Sequence, residues 1–585
     1  MMLQALVAYA DREGLGDLDF EKRAVDYELR IAADGAFVGL VPLTENKRRT
    51  RLSGLPIGPT SKNNPGYPSF LVDNAQYVLG TAKKDAKAGN AEKCFESYVV
   101  LTAEAAGATH DPALLALRRF LERPPDRALA DAELARLEDK KADQRGDRVL
   151  VPVLDSDAAA RMHERPGVIA WWRQRRTTGR QELAAGPLGR CLVTGELAPV
   201  ARTHPALKGP PFPGTGAKLV AYDKDAFTSQ DLEQGANAPM SEAAALKYVA
   251  ALNALLEKDA QGRRSSALDL DDESAVVFWT RDESDAPMLL LDVLAPPSRG
   301  ADAVHHAESV WRGSASRAFD PTPFYAVTLG VNSARVVVRD WVETTARAVV
   351  GNLERWFQDL QLGEATAEAL PLVEMLRALQ ATPAARGDKR GLAPGLATRV
   401  FRAAVQGAPL PRALLVAATQ RLRVPPRERE DGRFVLRARV AVIKAVLCRE
   451  GMEVPVALDE SNTDRAYLLG RLFAALEKLQ LVASKRGNDL NATIRDRYYG
   501  AASSTPAAVF GRLLSLSMHH ASKTKDDGLG IVAERAKAGI MNRLAAKPFP
   551  KTLSLSEQGL FAVGYYHQRE AFFAKKETAD DGPKA

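Results

Sequence analysis

The chain is poor in cysteine, in aromatics and in long apolar runs, and each shortage removes possibilities. Its three cysteines, Cys94, Cys191 and Cys448, lie far apart. Neither a disulfide framework nor a paired-cysteine metal knot can be built from them, which points to a reducing compartment. No run approaches the roughly 20 apolar residues that cross a bilayer. The start, MMLQALVAYADREG, lacks the basic opening and long apolar core of a signal peptide, so a cytoplasmic location without membrane contact is expected. Phosphate-loop, zinc-protease, nucleophile-elbow and dinucleotide motifs (GxxxxGK(S/T), HExxH, GxSxG, GxGxxG) do not occur in their required contexts.

What is present is an ordinary folded composition, 46% hydrophobic and 26% charged over 585 residues. That length exceeds one hydrophobic core and implies two to four domains. The net charge of +7 favours an anionic partner, but 80 basic against 73 acidic residues is a mild excess, so its distribution matters more than its sum.

The pattern predicts an α+β protein. Residues 1–345 read as mixed α/β, residues 346–451 as a helical connecting region, and residues 452–585 as an all-helical C-terminal bundle. MLQALVAYADRE has helical spacing, and YELRIAADGAFVGLVPL reads as two strands joined at Asp-Gly. RVLVPVLDSD and GVIAWWRQRR read as hairpin-like runs. AKLVAYD, SAVVFWTRD and FYAVTLGVNSARVVVRDWVETT read as strands. ATPAARGDKRGLAPG reads as a linker. Leu469, Leu472, Phe473 and Leu476 fall at i, i+3, i+4 and i+7, one apolar helical stripe with Asn462 or Thr463 as its N-cap.

Support for catalysis is thin. Cys191 and His204 carry the parts of a nucleophile and base, yet a small buried cysteine and a structural histidine account for both. His519 and His520, followed by Asp526 and Asp527, point about 100 degrees apart on a helix and do not share an ion readily. No metal, no cofactor and no enzymatic activity are expected; a nuclease built on these residues is the alternative, and a purely structural scaffold a further one.

The basic segments are more informative. Lys47, Arg48, Arg49, Arg51 and Lys62 stand against the single acid Glu45 in residues 45–62. They offer phosphate contacts, while Asn63, Asn64 and Asn74 carry groups that pair with base edges. Trp171 to Arg180, WWRQRRTTGR, adds four arginines beside two aromatics, which suits either a stacking site or a core with a charged rim. Lys485, Arg486, Arg495, Arg497, Lys523 and Lys525 suggest a groove for single-stranded nucleic acid.

Six strings occur in order between residues 71 and 569: LVDNAQYVLG, CLVTGELAPVARTHPALKG, NAPMSEAAALKYVAALNALL, FYAVTLGVNSARVVVRDW, NATIRDRYYGAASSTPAAVF and FPKTLSLSEQGLFAVGYYHQR. Together they resemble the large subunit of the type I-C CRISPR Cascade complex, the Csd-type Cas protein. The chain departs from the family in PPFPGTGAKLVAYDKD, which is shorter than the usual Gly/Ser-rich segment there. The resemblance implies a non-catalytic subunit near the 5′ end of a guide RNA. Its partners would be target double-stranded DNA, the backbone, end-capping and small subunits, and a helicase-nuclease recruited after DNA binding.

Such a subunit reads a short protospacer-adjacent motif (PAM), helps open the duplex and supports the R-loop, while base pairing reads sequence. On that basis Arg51, Lys62, Asn63, Asn64 and Asn74 are the candidates for duplex contact, with Asn74 first for base reading. Lys47, Arg48 and Arg49 are candidates for phosphate binding. Gln230, Gln234 and Asn237 are candidates for reading or wedging the opened step, and the six C-terminal cations for the displaced strand. The family also makes its helical C-terminal portion separately, from an internal start, for which Met452 is well placed.

Overall fold

A computed structural model describes residues 2–573 apart from 46–47, 59–65, 84–88, 139–143, 158–160, 184–187, 210, 213–216, 223, 229, 259–261, 296–321, 333–334, 364–369, 381–392, 394, 425–431, 485–491, 525 and 545–547. The chain divides into two compact units, residues 1–209 with 213–263, and residues 264–585 with 210–212.

The first unit opens with α1 (Met2–Arg12) and continues through β1 (Phe20–Val25), β2 (Tyr27–Ile31), β3 (Phe37–Pro42), β4 (Thr44–Glu45), β5 (Arg48–Pro56) and β6 (Asp73–Asn74). Next come α2 (Ala75–Val78), α3 (Asn90–Thr109), α4 (Pro112–Leu121), α5 (Pro124–Leu137), β7 (Val149–Leu154) and α6 (Pro166–Leu183). A short ribbon of β8 (Leu188–Arg190) and β9 (Leu197–Pro199) precedes α7 (Glu242–Leu256), which packs on α1. The expected Asp-Gly hairpin is β2–β3, turning where Gly35 takes a φ of 89°. In the sheet β3-β2-β7-β6, β7 runs parallel to β2 and antiparallel to β6. A second, antiparallel sheet, β1-β5-β4, carries the basic strand.

Two strand expectations fail in this unit. GVIAWWRQRR is helix α6, because Val168 and Trp172 recur one turn apart and are both buried, while Pro166 starts the helix. AKLVAYD forms no named strand among its described residues, only bridge positions at Ala217 and Lys218, the first paired with Leu207.

In the second unit β10 (Ala267–Asp271), β11 (Ser274–Thr280), β12 (Pro323–Asn332) and β13 (Arg335–Thr345) form an antiparallel sheet in sequence order, with α8 (Ala286–Leu294) between β11 and β12. Helices follow: α9 (Ala346–Leu360), α10 (Leu372–Leu379), α11 (Leu396–Gln406), α12 (Arg412–Leu422), α13 (Gly432–Arg449), α14 (Arg465–Ala483), α15 (Ile494–Ser504), α16 (Pro506–Lys523), α17 (Gly528–Leu544) and α18 (Leu555–Ala571). Among the described residues the last strand ends at Thr345. The break between compact units lies earlier, at residues 263–264, because Val276, Phe278, Phe324 and Val342 share one core with the helices.

Residues 452–585 belong to that same core. The stripe Leu469, Leu472, Phe473 and Leu476 is fully buried in α14, and the packed neighbours of α18 include α13 and α12. Met452 is itself packed against this core. The N-cap of α14 is Asp464, whose carboxylate accepts from Tyr467 N; Asn462 instead accepts from Asp464 N at 2.8 Å. One helix supplies cations to the ends of four others. From α13, Arg439 donates to the carbonyls of Ala378 and Arg421, Lys444 to those of Gln358 and Asp359, and Arg449 to that of Ala403. These are the last-turn carbonyls of α10, α12, α9 and α11, where a helix has no internal donors left and its dipole favours positive charge.

Candidate nucleic-acid interface

The basic strand β5 lies antiparallel to β1, with Arg51 opposite Ala24. Between the pairs Arg23↔Leu52 and Glu21↔Leu55, β5 has one residue more than β1, so Ser53 and Gly54 stand against Lys22. Gly54 adopts a φ of 71°, the left-handed conformation this bulge needs and glycine takes without strain. Arg51 is half exposed, and its Nη1 lies 2.8 Å from Glu257 Oε1, while Lys22 Nζ is 4.0 Å from Oε2 of the same carboxylate. Arg48 and Arg49 are carried on the strand opposite Glu45 and Thr44. Lys47, Lys62, Asn63 and Asn64 lie outside the described residues.

Beside this sheet is a tight turn over residues 69–74. Val72 N donates to Phe70 O across Leu71, whose φ is 59°, a strained three-residue turn that surrounding contacts must hold. The contacts are present. Arg23 donates to Val72 O and to Ser69 Oγ, Tyr98 to Leu71 O, and Asp73 accepts from the backbone of Ser69 and Asn74. Phe70 stacks on Trp172 at 5.1 Å, and Trp172 donates to Asp19 O. Asn74 stands at the N-cap position of α2 without a side-chain capping bond, only 8% of its surface is exposed, and its Oδ1 is buried without a hydrogen-bond partner. The paired tryptophans thus serve the core. Three of the arginines that follow are matched by acids, Arg173 with Asp17, Arg175 with Glu104 and Arg176 with Asp19, while the Arg180 side chain lies outside what the structure describes.

Gln230 is exposed on the loop before α7. Gln234 accepts from Arg202 and sits at a φ of 44°, and Asn237 donates to the carbonyls of Leu232 and Gln234. Two of the three loop residues therefore stabilise the loop, and Gln230 is left facing solvent. In the second unit Arg497 and Lys523 are exposed. Arg495 is half-buried over the ring of Tyr565 at 5.7 Å, beside buried Glu477, which accepts from Tyr565. That position makes Arg495 a countercharge within the helices rather than a lining of an open groove. Lys485, Arg486 and Lys525 lie outside the described residues.

Cys191 and His204, two residues of the enzymatic alternative, have separate hydrogen-bond partners. Burial pushes the Cys191 thiol up, but donors from Ser241 and Thr194 outweigh it and bring it down to about 6. His204 Nδ1 pairs with Tyr248 and its Nε2 is buried without a partner, so no hydrogen bond joins base to thiol. Among the described residues no group of three or more His, Cys, Asp or Glu side chains is arranged to hold a metal. No described helix is long and apolar enough to cross a membrane.

Burial lowers His163, His204 and His567 from 6.5 to about 4. Each binds its proton more readily when unfolded, so its contribution to stability is whole above about pH 6.5 and declines as pH falls toward 4. The loss is up to about 3 kcal/mol per histidine. Denaturant midpoints measured across that interval should fall, and His567→Gln should flatten the dependence for the helical unit.

Lys22 and Glu257 were missed by sequence reasoning. Lys22 is a single lysine in a strand, and Glu257 lies 206 residues from Arg51, so no local signal marks either.

These features define an α+β protein with a bulged sheet carrying a basic strand on one unit and a densely helical second unit. The profile of the family described as CRISPR-associated protein (Cas_Csd1) matches residues 6–573, and the chain belongs to that family. It is thus a CRISPR-associated, Cascade-type protein, the Csd-type family to which the six sequence strings point. A comparison with curated proteins returned no match.

Proposed function

We propose that the chain is the non-catalytic large subunit of a type I-C guide-RNA-loaded surveillance complex, and that the β1–β5 face of its first unit grips PAM-containing duplex DNA. The observation that carries this reading is the exposed pair Arg51 and Lys22, set on adjacent strands beside a strained, heavily buttressed turn. A rigid platform with outward cations suits phosphate contact, which fixes register without reading sequence.

Base reading is assigned to Asn63 and Asn64, which follow the basic strand, and to exposed Gln230. Asn74 is assigned to holding the turn, because its buried amide has little surface to offer a base. Arg497 and Lys523 support contact with the displaced strand. The proposed partners are the guide RNA, the other Cascade subunits and the helicase-nuclease that acts after binding.

The test is binding of the RNA-loaded complex to a randomised PAM library. Wild type should select a short motif, and Asn63→Ala with Asn64→Ala should relax it by about 1–3 kcal/mol. Arg51→Ala should weaken all sequences alike and make the salt dependence shallower by about one unit of slope. A library without preference would refute PAM reading.

A further inference from the structure

We infer that Glu257 is an internal stand-in for a backbone phosphate, holding Arg51 and Lys22 together and competing with duplex DNA for both. The inference rests on the proposed duplex contact of the β1–β5 face and names the group that regulates it.

Two cations from neighbouring strands converge on one carboxylate, at 2.8 Å and 4.0 Å, as they would on a phosphate. The bulge at Ser53–Gly54 sits opposite Lys22, and such irregularities re-aim side chains beside binding sites. All three groups are solvent-accessible, with side chains 49%, 48% and 36% exposed for Arg51, Lys22 and Glu257. A ligand can therefore reach them, and the pairing is of the weak, screened kind.

The position of Glu257 weakens it further. It is the C-cap of α7, where the helix dipole presents its negative end and disfavours a carboxylate. The cations offset that penalty when no ligand is bound. A phosphate arriving from outside releases the carboxylate to water and takes over both partners.

The consequence is a higher threshold for binding. Duplex DNA without the motif offers this face phosphates alone, so it must displace Glu257 with no base contact in return. A cognate duplex adds base contacts to the same displacement. The same penalty falls on every duplex, so phosphate contacts alone no longer suffice for tight binding, while the base contacts of a cognate duplex keep it bound.

The test uses the full-length chain and a short duplex of mixed sequence, followed by fluorescence anisotropy across a salt series. Glu257→Gln should tighten binding about three- to ten-fold and steepen the salt dependence by about one to two units of slope. Placed on an Arg51→Ala, Lys22→Ala background, Glu257→Gln should change affinity by less than about two-fold, since its partners are gone. An equal gain on both backgrounds would overturn the inference, leaving Glu257 as bulk negative charge, and so would no gain in the wild-type background. The Arg51→Ala, Lys22→Ala pair alone tests the underlying reading: unchanged duplex affinity would remove this face from DNA contact altogether.

Discussion

Alanine at Gly470 is expected to destabilise the helical unit by about 3 kcal/mol, at the upper end of overpacking costs. A Cβ built there would stand 1.9 Å from Phe561 O, and one at Gly564 would stand 2.2 Å from Tyr467 O. The two glycines belong to α14 and α18, so each helix has a notch that receives the backbone of the other. Backbone cannot rotate away as a flexible side chain can, and relief requires the helices to separate. Helix propensity works the other way, favouring alanine over glycine by about 1 kcal/mol. The sign of the measured change therefore decides between close crossing and mere adjacency. Denaturant unfolding followed by circular dichroism should show lower midpoints for Gly470→Ala and for Gly564→Ala. The double variant should cost less than the two single costs added, since one separation relieves both clashes. A stabilised Gly470→Ala would show that the helices do not cross this closely.

Methionine at Arg439 should cost more, about 3–5 kcal/mol, as is usual when one member of a buried polar arrangement is removed. Arg439 is one of the largest fully buried side chains, and its guanidinium serves carbonyls at the ends of α10 and α12. Methionine fills most of the volume but leaves those carbonyls without donors, at about 1–3 kcal/mol each. Arg439→Lys keeps the charge but not the fork that reaches two helices, so its cost should be intermediate. A midpoint for Arg439→Met close to wild type would mean that water replaces the guanidinium.

Much of the architecture was legible locally. The α14 stripe and the Asp-Gly hairpin rest on periodicity and turn chemistry, and both sit where those signals place them. GVIAWWRQRR was misread because bulky and β-branched residues resemble a strand when their one-turn spacing is short. Charge was legible only as a sum. Arg439, Lys444 and Arg449 contribute to the net +7, yet all three face inward to carbonyls, so they add nothing to an outward patch. Arg495 belongs with them. The converse holds for Glu257, an unremarkable acid after a helix whose meaning depends on cations more than 200 positions away. Pairings across such separations leave no trace in spacing, and they are what determines which of the many arginines are available to a ligand.

The notched crossing of α14 and α18 also has a meaning in time. One hundred residues separate Tyr467 from His567, which meet at this crossing. At about 5–20 residues per second, α14 leaves the ribosome some 5–20 seconds before its counterpart. Throughout that interval the groove at Gly470 has no occupant, and α14 lacks the helix that packs against it most extensively. Pauses or stops in translation between residues 483 and 555 should therefore yield chains that aggregate rather than shorter folded proteins. The last described helix acts as the closing piece of the fold, and the unit becomes safe to release only once it has been made.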